Sequence, residues 1–143
     1  MTTGQSAANS LLNLVLNATN WPNIADNTVT APLTNLYVAL HTADPAPGGN
    51  QTTNEVVYTG YARVAVARTT SGWTASTVAS SSPVASITFP AGTAGSATAA
   101  FASIGTAASG AGVVLWSGPI SPTIACGAGV TPILTTASTV TIT

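Results

Sequence analysis

From residue 36 onward, glycine and proline cut the chain into apolar pieces too short to be helices. The 143 residues include 13 Gly and 9 Pro, which fall in nearly every gap between apolar runs. The runs are "LYVALHT" (36–42), "YARVAVAR" (61–68), "SPVASITFPA" (82–91), "TAAFASIGT" (98–106), "GVVLWSGP" (112–119), "TPILTT" (131–136) and "STVTIT" (138–143). They are rich in β-branched and aromatic residues and are bounded by turn formers, the pattern of strands. In "YARVAVAR", Tyr61, Arg63, Ala65 and Ala67 would share one face, with Ala62, Val64, Val66 and Arg68 on the other. Ala85, Ile87 and Phe89 would face a core, and Val140 and Ile142 would share one face. Short strands so punctuated predict an antiparallel β-sandwich, jelly-roll-like in its connections. The length is that of one domain, spanning 1–143.

One segment differs. Over residues 6–19, Leu11, Val15 and Ala18 recur at helical spacing, as do Ala8, Leu12 and Leu16. Asn13 and Asn17 fall on the other side. Thr3 or Ser6 would cap the start, and Trp21-Pro22 follows the end. This predicts a short N-terminal α-helix that must pack on something to persist.

Charge narrows the functional classes. Charged residues make up 3% of the chain and Lys is absent, against about 25% in an ordinary soluble domain. The formal net charge is -1, yet 45% of residues are hydrophobic and the mean hydropathy is +0.43. A core is affordable, and the surface must be hydroxyls, amides and methyls. Such a surface suits burial against other subunits, because little charge needs desolvating. Two Arg make no basic track, so neither nucleic acid nor an anionic membrane surface is an expected partner. No segment is long and apolar enough to span a bilayer. The N-terminus lacks the positive n-region of an export signal, so synthesis and release in a cytoplasm are expected. The single Cys126 excludes an internal disulfide and a Cys-based zinc site, and its setting "TIACGAG" predicts a buried small side chain.

Most titratable residues lie in one window, "LYVALHTADPAPGGNQTTNEVVYTGYARVAVAR" (36–68). It holds the sole His, both Arg and two of the three acids. His41, Asp44 and a hydroxyl would make a hydrolytic set. However, Asp44 precedes Pro45, where Asp commonly accepts backbone N–H bonds in a turn, and no G-x-S-x-G elbow is present. Asp44 and Glu55 would serve as an acid pair on a polysaccharide, but Glu55 is better placed to pair with Arg63 or Arg68 across neighbouring strands. Asp44, Asn50 and Glu55 do not have the spacing of a calcium loop. "GAGVTP" (127–132) has Pro132 where a dinucleotide fingerprint needs its third Gly. Gly60 suits a turn or a close backbone approach, and Tyr61 a packing aromatic. Trp21 and Trp73 are candidate interface residues, Trp73 because of its polar setting "TTSGWTAS"; core packing is the other reading. No catalytic residue, cofactor or metal site is expected.

"LYVALHTADP" and "GYAR", with the helix at 6–19, "TFPA" (88–91), the 113–120 strand and the closing 138–143 strand, resemble a family of small tailed-bacteriophage virion proteins. These are commonly labelled tail fibre proteins. The resemblance implies a structural protein without catalytic activity, located in the virion and assembled in the host cytoplasm. Asp44, Pro45, Glu55, Gly60, Tyr61 and Arg63 would then be fixed structural contacts. A chain this short has little length for a fibre shaft, and its uncharged surface suits a lattice clamp. The expectation is therefore a capsid decoration, or cement, protein acting as a homotrimer on the major capsid protein or other virion proteins. The alternative is a tail fibre, spike or baseplate part involved in host attachment.

Overall fold

The computed structural model describes residues 5–21 and 32–142. The chain is mainly β with one helix. It divides into two compact units: Met1–Asn35 with Val66–Ser86 and Thr135–Thr143, and Leu36–Ala65 with Ile87–Leu134.

In the first unit, α1 (Gln5–Asn17) buries Ala8, Leu12 and Leu16 at four-residue spacing. Leu12 and Leu16 are fully enclosed, each contributing about 1.5–3 kcal/mol of burial. Ser6 lies inside the helix rather than at its cap; Thr3 is outside the described residues. Leu11, by contrast, is exposed.

Asn13 and Asn17, expected on the side away from the leucines, are not left to solvent. Asn9, Asn13 and Asn17 form a row beside the buried leucines and hydrogen-bond the backbone of residues 69–79. Asn9 Nδ2 donates to the Thr77 carbonyl at 3.0 Å, and its Oδ1 accepts from Ala79 N–H. Asn13 Nδ2 donates to the Ser76 carbonyl at 3.2 Å and its Oδ1 accepts from Ser76 N–H at 2.8 Å. The Asn17 amide, turned to donate, lies 3.1 Å from the carbonyls of Thr69 and Trp73. A side-chain amide carries a donor and an acceptor, as a peptide does, so this stripe supplies partners to the backbone of Ser76, Thr77 and Ala79, which lies outside the strands.

The helix has no basic residue in its last turn. Arg68 supplies the cation from elsewhere, donating to the carbonyls of Leu14 and Val15 where the dipole is negative. The chain then turns through Ala18 at φ 53, with Thr19 N–H returning to the Asn13 carbonyl at 3.0 Å. β3 (Ser80–Ser81) pairs antiparallel with β8 (Val140–Thr141). Trp73 is 1% exposed. The polar setting that made it an interface candidate is a row of turn residues around a buried ring, and core packing is the reading its position carries. Trp21 is half-buried.

The second unit holds most of β1 (Asn35–His41), β5 (Ser96–Gly105) and β6 (Val114–Gly127). With β2 (Val64–Ala67) these run in the order β2-β1-β5-β6. β1 and β5 pair antiparallel, Tyr37 opposite Gly105 through His41 opposite Phe101. β5 and β6 pair antiparallel from Ser96–Gly127 to Gly105–Val114, with a shift between Ala99 and Phe101. β4 (Ile87–Thr88) pairs with β7 (Ile133–Leu134). Ile87 and Phe89 are buried but Ala85 is exposed, because regular alternation begins only at β4. β2 is shorter than "YARVAVAR", since Gly60 through Arg63 form a turn and a polar contact instead. β6 runs eight residues beyond Pro119. It bulges opposite Ala100 and carries Pro119 and Pro122 on the sheet's outer strand, where a missing N–H breaks no interior ladder.

Candidate functional site

The polar groups of the 41–63 window gather at the end of β1. His41 is the last residue of β1, where the pleat turns its ring toward Ser103 on the paired strand β5. Its Nε2 lies 2.8 Å from Ser103 Oγ and its Nδ1 2.9 Å from the Thr53 carbonyl oxygen. A carbonyl only accepts, so Nδ1 carries the proton and Nε2 accepts from the Ser103 hydroxyl. His41 is 0% and Ser103 2% exposed. Burial is the main cause that lowers the His41 pKa below its ordinary value, with Arg63 acting the same way and the Thr53 carbonyl, Glu55 and Asp44 opposing.

Glu55 lies beside His41 through an isolated bridge rather than on a neighbouring strand. Of the two arginines left open by the sequence, Arg63 takes it. Arg63 Nε donates to Glu55 Oε1 at 2.7 Å and Nη2 to Oε2 at 2.8 Å, the two-pronged geometry that suits guanidinium. The remaining Arg63 donors reach the carbonyls of Ala107 and Gly110. Tyr61 Oη donates to Glu55 Oε1 at 2.9 Å and accepts from Leu40 N–H at 3.1 Å. Its ring stacks on Phe89 at 6.3 Å and meets Tyr58 edge-on at 5.3 Å. Burial and the adjoining carboxylate hold the Tyr61 hydroxyl protonated, far above its ordinary range. Hydrogen bonding to Glu55 likewise raises the Arg63 pKa.

Asp44 takes partners other than His41 for its carboxylate. Its Oδ1 accepts from Ala46 N–H at 3.0 Å and from Ser117 Oγ at 2.7 Å. These two bonds, the Ser117 one first, hold its carboxyl below the usual range. Pro45 behind it is buried. Gly60 has φ +99, and a side chain there would press on the Ala91 carbonyl, so both reasons for glycine act at this position.

Two residues passed unnoticed in the sequence. Gln51 is fully buried; its Nε2 donates to the Tyr37 carbonyl and its Oε1 accepts from Ala107 N–H. Gly105 and Gly112 must lack side chains because Gln51 occupies that space. Ser103 has no flanking motif, and only the β1–β5 register brings it to His41.

Ser103, His41 and the Thr53 carbonyl stand in the order nucleophile, base, orienting acceptor. Enclosure closes that chemistry, since a substrate must reach Oγ. Nor do Asp44, Asn50 and Glu55 converge on a cation: Asn50 accepts from Thr52, and the two acids are engaged as above. Among the described residues, no three of His, Cys, Asp and Glu are grouped to hold a metal, and no helix is long and apolar enough to cross a membrane.

Among the described residues, the side chains of His41, Asp44, Glu55, Arg63 and Arg68 bond to the chain's own backbone, to its hydroxyls or to one another. The chain belongs to the family described as podophage GP4 fiber I protein gp80, which it matches over residues 3–142. It is thus a phage structural protein and a component of the virion. No curated protein matches it.

Proposed function

We propose that the protein is a non-enzymatic part of the phage tail-fibre apparatus, serving host attachment through contacts with other virion proteins. The family match over residues 3–142 carries this reading. The engagement of Asp44, Glu55, Arg63 and His41 in internal bonds supports the absence of catalysis. A second reading, a trimeric decoration protein on the major capsid protein, draws on the 3% charge content, which suits a lattice-buried surface. Neither reading calls for a cofactor, nucleic acid or a membrane.

The test is the copy number in purified virions relative to the major capsid subunit, with gold-labelled antibody to locate the protein. A few copies and label at the tail support the fibre reading. A ratio near that of the capsid subunit with label on the head replaces it with the decoration reading. Release of sugars from host polysaccharide by the purified protein, abolished by Asp44→Ala with Glu55→Ala or by Ser103→Ala, would end the non-enzymatic reading.

A further inference from the structure

His41 joins three parts of the second unit. It belongs to β1, its Nε2 is held by Ser103 of β5, and its Nδ1–H holds the Thr53 carbonyl of the segment 42–56. The same segment closes on itself through Thr42 N–H to the Asn54 carbonyl at 2.8 Å and is tied to β1 by Val56 N–H to the Leu40 carbonyl at 3.0 Å. We infer that His41 is an acid-operated latch: protonation of its imidazole favours an open form in which the segment 42–56, also held by Gln51, Glu55 and Asp44, separates from the sheet while β5 and β6 stay paired.

The chemistry follows from the two partners. A protonated imidazole donates from both nitrogens. Thr53 accepts as before, but Ser103 must turn its hydrogen away from Nε2 in a site where it is 2% exposed, leaving a buried donor unpaired beside a buried charge. The surrounding charges do not compensate fully. Glu55 favours the charged imidazole but is already neutralised by Arg63, which opposes it; Asp44 is exposed and turned to Ser117. No titratable group faces His41 from β5.

The sign is fixed by linkage. In the closed form His41 binds a proton more weakly than in the open form, whose imidazole has the ordinary value of 6.5. The closed form is therefore fully favoured above that pH and loses its advantage as pH falls below it. With one proton taken up on opening, the opening constant rises about tenfold per pH unit until the closed imidazole itself titrates.

Native-state hydrogen exchange from pH 7.5 to 5, corrected for intrinsic chemistry, tests this. The amides of Thr42, Thr53 and Val56 are expected to show the tenfold-per-unit slope below pH 6.5, and those of Ala97, Ala99 and Ile104 to stay flat. His41→Gln, which keeps a donor and an acceptor, is expected to abolish the slope. If that variant does not fold, imidazole NMR on the parent and on Ser103→Ala decides. Without the hydroxyl that stabilises neutral Nε2, the ring is expected to titrate higher and the slope to shrink. A flat profile in the parent, an equal slope at the β5–β6 amides, a slope retained in His41→Gln, or an imidazole titration unmoved by Ser103→Ala would each overturn the latch.

Discussion

Replacing Arg63 with Ala tests whether the polar cluster holds the second unit together. The Arg63 side chain is 2% and that of Glu55 16% exposed. Truncation removes both prongs of the pair and leaves the Glu55 carboxylate with the Tyr61 hydroxyl as its remaining donor. Breaking a buried ion pair from one side costs about 3–5 kcal/mol, because the other charge stays desolvated and unpaired. The lost bonds to Ala107 and Gly110 add little, since Gly110 is exposed and water can replace the donor. Urea unfolding of the parent, Arg63→Ala, Glu55→Gln and the double variant measures this. Arg63→Ala is expected to lose about 3–5 kcal/mol. Glu55→Gln should lose less, because the carboxamide still accepts from Arg63. The double variant should lose less than the sum of the singles, by about 1–3 kcal/mol of coupling. A loss below about 1 kcal/mol for Arg63→Ala, the level of an exposed pair, or simple additivity would refute the reasoning.

Three further outcomes are expected. Asn13→Ala removes a donor and an acceptor from the backbone of Ser76 and should cost about 1–3 kcal/mol, read as a drop in urea midpoint, whereas Leu11→Ala on the exposed face should change stability little. Gly92→Ala would drive a methyl into the backbone of Gly127; neither backbone can yield as a flexible side chain would, so a fall in melting temperature or loss of soluble protein is expected. Cys126 is buried and its thiol pKa is raised by burial, so a thiol reagent at pH 8 should label it far more slowly in the native protein than in urea.

The sequence by itself determined the element types. The four-residue spacing of Ala8, Leu12 and Leu16 defines a helix, and punctuated apolar runs define strands, because periodicity and turn chemistry are local properties. The Asp44 turn and the positive φ at Gly60 are local in the same way, whereas the Ala91 carbonyl that also demands glycine there is not. What tertiary structure alone decided is pairing. Asn13 and Asn17 read as lying on the side away from the leucines, yet here the row binds backbone 52 to 70 residues away in sequence, from Asn17 to Thr69 and from Asn9 to Ala79. Trp73 sits among hydroxyls in sequence and is buried in space. Glu55 had two arginines within reach of a strand pattern, and the turn at Gly60 selected Arg63. Ser103 became a partner of His41 through the register that sets Leu40 opposite Ala102 and His41 opposite Phe101. A shift by one residue would have turned that hydroxyl to the other face of the sheet. Register is set by the summed burial of whole strands, and that sum is not a property of any one stretch of sequence.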